Sequence, residues 1–196
     1  MELEDGPDSL TGANGFVGKV LQRRLRQDQH ELIGTVASLP SPGDQGGDYE
    51  VMDICDGAAV DAIIARLQPT HLIHLAAISN VALSLKEPLL TWNTNVIGTL
   101  NLMESLKSHA PDCFTLFVSS TEVYGETFKR GQPLDEPAPL CGDDPLRTEQ
   151  IGSRTCRHAM FSSRPGRGDR APVQPYRPWP ERRLCHGVIR QADRVD

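Results

Sequence analysis

Aromatic side chains are scarce, at 5% of 196 residues, and the hydrophobic fraction of 38% is lean but compatible with a globular chain. No stretch reaches the uncharged apolar length of a bilayer span, so no membrane partner is expected. Cysteine is sparse and badly arranged for cross-linking. The five residues Cys55, Cys113, Cys141, Cys156 and Cys185 are odd in number, widely spaced and without a Cys-x-x-Cys pair. That excludes a disulfide framework or a thiolate zinc site and fits free thiols in a reducing compartment. Met1 is followed by Glu2, Glu4 and Asp5 instead of the basic and apolar start of a secretory leader. The expectation is a soluble, cytoplasmic protein with no bound metal.

Lysine is missing from one part of the chain altogether. Up to Leu146 there are 9 Lys+Arg against 21 Asp+Glu, a net of −12; from Arg147 onward there are 11 Arg, no Lys and 5 Asp+Glu, a net of +6. The expected organisation is therefore a folded domain over 1–142 and an Arg/Pro-rich tail over 143–196. The tail has no sustained periodicity and reads as disordered. Its charge could hold phosphates, but with no recognised fold around it no nucleic-acid partner is expected.

What is present is a strand–helix alternation. Thr11–Gly18 (TGANGFVG) is a glycine-rich turn feeding a helix whose Val17, Val20, Leu21 and Leu25 fall near helical spacing. A strand follows around Leu32–Val36, then a Pro/Gly loop, a strand ending at Asp53 and a helix over Asp56–Leu67 closed by Gln68 and Pro69. THLIHLAA reads as a buried strand, Leu89–Ser108 as one long helix, and FTLFVSS as another buried strand ending at Ser119 and Ser120. Alternating elements of this kind predict an α/β fold, a Rossmann-type doubly wound parallel sheet, incomplete at its C-terminal side. The first strand is the weak element, because the residues before the turn are acidic and include Pro7. His71 and His74, three apart on a strand, point to opposite faces and make a poor metal pair. Trp92 reads as packing or a subunit contact.

Gly12, Gly15 and Gly18 have physical work at this spacing. One permits a tight turn, one lets backbone approach a pyrophosphate, and one lets the helix lie close on the sheet. The helix N-terminus then offers free N–H groups and a partial positive charge.

TGANGFVG, Asp53–Ile54, His74–Ala77 (HLAA), Asn95–Thr99 (NVIGT) and Val118–Gly125 (VSSTEVYG) occur in the order and spacing of the extended short-chain dehydrogenase/reductases, and residues 11–140 resemble that family. The resemblance implies that Gly12, Gly15 and Gly18 hold the pyrophosphate with the backbone of Phe16 and Val17. It implies that Asp53 and Ile54 sit by the adenine, although Asp53 also suits a simple loop cap. Ala76 and Ala77 would let the cofactor pass close to the fourth strand, and Asn95 would support the central helix and strand. Ser120 would be the active-site hydroxyl, with Thr121 and Glu122 beside it. The implied cofactor is NADP or NAD; the second strand ends Val36-Ala37-Ser38 without the acid that would bind a ribose 2′-hydroxyl, which leans toward NADP.

Within that family, residues 76–106 look like GDP-4-dehydro-6-deoxy-D-mannose reductases and GDP-mannose 4,6-dehydratases. The implied activity is NAD(P)-dependent reduction of a GDP-4-keto-6-deoxy sugar, chosen on the Ser84–Pro88 stretch. The alternatives are a GDP-mannose 4,6-dehydratase or another sugar-nucleotide epimerase/dehydratase, in which Glu122 would be the base, and a non-catalytic dinucleotide-binding pseudoenzyme. A family homodimer would use the helix at Leu89–Ser108 and a second helix carrying Tyr-x-x-x-Lys. That pair should follow Ser120 by about 25 residues and is absent: the only later Tyr past Tyr124 is Tyr176, and no Lys lies beyond Lys129. Catalysis by this chain is therefore not expected. A frameshift accounts for both the missing pair and the composition break. Codons read one nucleotide later from about Gly142 can encode a Tyr straddling Leu146 and Arg147 and a Lys straddling Gln150 and Ile151.

Overall fold

The computed structural model describes residues 7–39, 49–120, 123–125, 127, 138–141, 148 and 150–152. The Pro/Gly loop after Leu39 and the proposed tail lie outside the described residues, apart from Thr148 and residues 150–152, which are helical where the tail was expected to be disordered.

The elements run β1 (Asp8–Thr11), α1 (Phe16–Gln27), β2 (Leu32–Val36), β3 (Tyr49–Val51), α2 (Gly57–Leu67), β4 (His71–His74), α3 (Val81–Lys86), α4 (Pro88–Trp92), a π-helical stretch (Asn93–Gly98), α5 (Thr99–His109) and β5 (Phe114–Phe117). The five strands form one parallel sheet in the order β3-β2-β1-β4-β5. The expected α/β doubly wound architecture is thus present. The order reverses between β1 and β4, which leaves a crevice at their C-terminal ends.

β1 forms despite its composition. Pro7 sits just outside the ladder, where its missing N–H costs nothing. Ser9, Leu10 and Thr11 are buried between β2 and β4, with Leu10 paired to Gly34 on one side and Ile73 on the other. Alternation sorts these residues by face. Leu10 joins Ala13, Leu32 and Val36 beneath α1, with Leu21 and Leu25 against them. Ser9 and Thr11 turn to the opposite face, where Leu72 packs with Met52, Ile54, Val60, Ile64, Leu102 and Leu106 between the sheet and α2/α5. Each of these large aliphatic side chains contributes roughly 1.5–3 kcal/mol when fully buried.

Three expectations about elements need correcting. Val17 is not on the buried face of α1; it is 46% exposed, and the helix instead buries Gly18 and Gln22. Gln22 is tolerated there because its Nε2 donates to the Ala13 carbonyl at 2.6 Å. The long helix at Leu89–Ser108 is continuous from Pro88 to His109 but changes pitch at Asn93–Gly98, and α3 was not signalled at all. β5 is not a buried strand: Phe114 and Val118 are more than half exposed, and it ends the sheet among the described residues.

The helix at Gly57–Leu67 starts on Asp56, whose Oδ1 accepts from the N–H groups of Ala58 and Ala59. It ends at Gln68 in a left-handed conformation. His71 and His74 do point apart: His71 lies exposed against Asp8, while His74 is buried. Among the described residues no group of His, Cys, Asp and Glu suits a metal ion.

Candidate functional site

Apart from Asn95, in the π-helical stretch, the described candidate residues follow the C-terminal ends of strands of the one parallel sheet. Gly12 follows β1, Asp53 follows β3, Ala76 and Ala77 follow β4, and Ser120 follows β5. They therefore share one edge of the sheet, around the crevice between β1 and β4.

The glycine turn is packed against that crevice. Gly12 has φ +68°, and a Cβ there would meet the backbone N of Ala76 at 2.8 Å. Any other residue would push β1 and β4 apart. A Cβ on Gly18 would strike the carbonyl oxygens of Gly12 and Ala13, so this residue lets α1 begin directly on the turn. Gly15 is exposed at the N-cap; its N–H donates to the Gly12 carbonyl at 3.0 Å, and its carbonyl accepts from Lys19 at 2.9 Å. The amides of Phe16, Val17 and Gly18 precede that first helical bond. No side chain caps them and no acid sits in the first turn. Phe16 and Val17 turn their side chains to solvent, 69% and 46% exposed, so what they offer the crevice is backbone. Free amides and no acid in the first turn are the arrangement that favours an anion.

The wall beyond Gly12 is the turn Ala76–Ala77–Ile78. The Ala76 N–H donates to Thr11 Oγ1 at 3.2 Å. Asn95, 3% exposed, grips Ile78 through both ends of its amide: Oδ1 accepts from Ile78 N at 2.7 Å and Nδ2 donates to Ile78 O at 2.9 Å. Asn95 lies in the π-helical stretch, and widened turns of this kind often mark functional sites. Gly98, at the end of that stretch, passes over Ile54, where a Cβ would come within 2.7 Å of Ile54 Cγ1.

Asp53 is exposed, and its Oδ1 accepts the Cys55 N–H at 2.9 Å, so it caps its own loop. Ile54 is 4% exposed, with its side chain in the core and its carbonyl taking Asn101 Nδ2 at 2.9 Å. Only its backbone could serve a ligand. Asn101 is a support that no sequence motif signalled. Ser120 is half-buried just past β5. The following turn is pinned by the Cys141 N–H donating to the Val123 carbonyl at 3.0 Å. Thr121 and Glu122 lie outside the described residues, so the proposed base is not placed.

The donor set fits a dinucleotide. It combines uncapped helix amides, a turn with no room for side chains, and a wall of small residues. A parallel sheet with such a turn at its switch point defines a Rossmann-type dinucleotide-binding α/β protein.

The chain belongs to the NAD dependent epimerase/dehydratase family, whose model matches residues 9–148. It is 28% identical over 162 residues to a dTDP-glucose 4,6-dehydratase of Neisseria meningitidis serogroup B, covering 74% of this chain and 46% of that protein. It is 34% identical over 163 residues to UDP-glucose 4-epimerase 1 of Oryza sativa subsp. japonica, covering 76% and 45%. Among solved structures, the UDP-glucose 4-epimerase of Thermus thermophilus in complex with NAD superposes with a TM-score of 0.69 at 24% identity, over 80% of this chain and 51% of that one. The chain thus spans about half the length of the relatives it matches. The family's name agrees with NAD or NADP as the cofactor class. Among the described residues, no helix is long and apolar enough to cross a membrane.

Proposed function

We propose that this chain is the dinucleotide-binding half of a sugar-nucleotide enzyme, able to hold NAD or NADP and unable to turn over substrate. The observation that carries the reading is the Gly12–Gly18 turn, seated on the backbone of Ala76 at the switch point and followed by an uncapped, acid-free helix N-terminus. In this reading Gly12, Gly15 and Gly18, with the amides of Phe16 and Val17, receive the pyrophosphate. Asp53 Oδ2 and the backbone of Ile54 line the adenine end. Ala76 and Ala77 form the floor, Asn95 holds that floor, and Ser120 stands at the reacting end with Glu122 two residues on. The chemistry a bound nicotinamide supplies is hydride transfer.

The missing component is the proton donor. No Tyr-x-x-x-Lys follows Ser120 in the sequence, so the hydroxyl of Ser120 can orient a substrate oxygen but has no activated phenol beside it. The substrate class is a nucleoside diphosphate sugar, as the names of the relatives suggest. Within it, the residues Ser84–Pro88 favour a GDP-4-keto-6-deoxy sugar over dTDP- and UDP-glucose. The composition break supports a shifted reading frame, and the family match stops at residue 148, next to it. Sequencing the transcript across Cys141–Asp144 tests this. An intact upstream frame that spells Tyr-x-x-x-Lys supports it, and codons that confirm the present sequence make the chain a pseudoenzyme. Steady-state oxidation of NADPH with a GDP-4-keto-6-deoxy sugar should give no turnover; normal reductase rates would overturn the catalytic part of the reading.

A further inference from the structure

The motif reading left His74 without a task, and its surroundings supply one. Thr99 Oγ1 lies 2.7 Å from the Asn95 carbonyl, which can only accept, so the Thr99 hydroxyl proton points there. His74 Nε2 lies 3.1 Å from the same Oγ1 and must therefore donate to it. With Nε2 protonated, the neutral ring presents Nδ1 as an acceptor, and the Thr11 hydroxyl donates to it at 2.7 Å. Thr11 Oγ1 then accepts the Ala76 N–H at 3.2 Å. The bonds run one way, from Ala76 through Thr11, His74 and Thr99 to the main-chain carbonyl of Asn95, whose side-chain amide separately exchanges two bonds with Ile78. One end of the chain thus lies in the Ala76–Ile78 turn, and the other ends on the residue that grips it. Thr11, His74, Asn95 and Thr99 are each at most 5% exposed, and the Phe117 ring meets His74 edge-on at 5.5 Å.

We propose that His74 is a positioning residue, which as the neutral Nε2–H tautomer closes a single directed hydrogen-bond chain holding the Ala76–Ile78 turn in register with Gly12. Both consequences follow from the donor order. The ring cannot be replaced by an apolar residue without stranding Thr11 at one end. Nor can Nδ1 carry a proton without turning the Thr11 hydroxyl proton off the ring, which breaks the donor order at Thr11 beside the Ala76 amide. Buried chains of this kind are cooperative, so a break at the centre is felt at the ends. A histidine merely satisfied in the core would have no such reach.

The part concerning ligand affinity rests on the dinucleotide reading above, so the test on the full chain has two arms. Without ligand, long-range nitrogen–proton correlation of the imidazole should show the neutral Nε2–H form near neutral pH. In His74→Leu, amide exchange at Ala76 should rise about tenfold while Val60 in α2 is unchanged, and His74→Gln, which keeps one acceptor and one donor, should restore most of the protection. Where His74→Leu does not fold, Thr99→Val cuts the chain one link further on and should give the same pattern. With ligand, NADH or NADPH affinity should fall about tenfold in the apolar variants and recover in His74→Gln. An Nδ1–H tautomer, an imidazolium, or unchanged Ala76 exchange in both apolar variants would overturn the proposal. A wild-type chain that binds neither cofactor would defeat the dinucleotide reading alone, since the ligand-free arm still decides the role of His74.

Discussion

Burial pushes the Cys113 thiol from its ordinary 9.0 up to about 11; a hydrogen bond from Thr115 opposes the shift and the nearby Asp8 charge adds to it. Burial likewise raises Cys55, with Thr94 opposing. The thiolate is the reactive form, so near pH 8 Cys113 should alkylate with iodoacetamide about a hundredfold more slowly in the folded chain than an ordinary thiol. The sign of the linkage follows. The folded state holds the proton more tightly, so this contribution to stability is complete below pH 9 and is lost as pH rises toward 11. Mass spectrometry of alkylated peptides checks the rate, and full reactivity of Cys113 in the native chain would contradict the burial seen here. Asp53 shows how far a single residue could be read from sequence. Both of its readings, loop cap and adenine neighbour, were open, and the structure realises the cap through Oδ1 without closing the other.

At the scale of elements, β1, β2 and α1 carry a cost. Ser9 Oγ, Thr35 Oγ1 and Gln22 Oε1 are buried without a hydrogen-bond partner among the described residues. Removing such a hydroxyl should stabilise, so Thr35→Val should raise unfolding free energy by roughly 1 kcal/mol and Ser9→Ala by somewhat less, since it also loses volume. Denaturant melts measure this, and a loss of stability in Thr35→Val would show that the hydroxyl has a partner after all. β1 also marks the limit of periodicity. An acidic approach and Pro7 made it look unfit, yet four residues between two neighbours suffice, because the β2 and β4 ladders satisfy its backbone whatever its side chains are. By contrast, Leu32–Val36 and Gly57–Leu67 were legible to within a residue, since a β-rich run and a closing Gln68–Pro69 are local signals. The π-helical stretch was not legible. Its cause is tertiary: Asn95 must reach Ile78 and Gly98 must clear Ile54, and neither contact leaves a periodic trace.

For the whole molecule, the exposed face of β5 is the consequential feature. Phe114 and Leu116 in β5, and Val118 just past it, alternate onto one side and are 54%, 37% and 53% exposed. Parallel sheets are ordinarily covered on both faces, and an open apolar edge invites association. The full chain should therefore self-associate at micromolar concentration, and Leu116→Lys should shift it toward monomer in analytical ultracentrifugation. A monodisperse monomer before substitution would contradict this. The Gly-loop motif made the cofactor half legible because it depends on backbone clearance at a few fixed positions. The Tyr-x-x-x-Lys segment implied by the family resemblance was legible only as a gap, because no such pair is spelled after Ser120. The most direct test of the central claim is calorimetric titration of the full chain and of Gly12→Val with NAD and NADP. The expected result is saturable binding of at least one cofactor by the first and none by a folded second, whose Cβ would meet Ala76 at φ +68°. A folded parent chain that binds neither cofactor, or a variant that binds equally well, would contradict it.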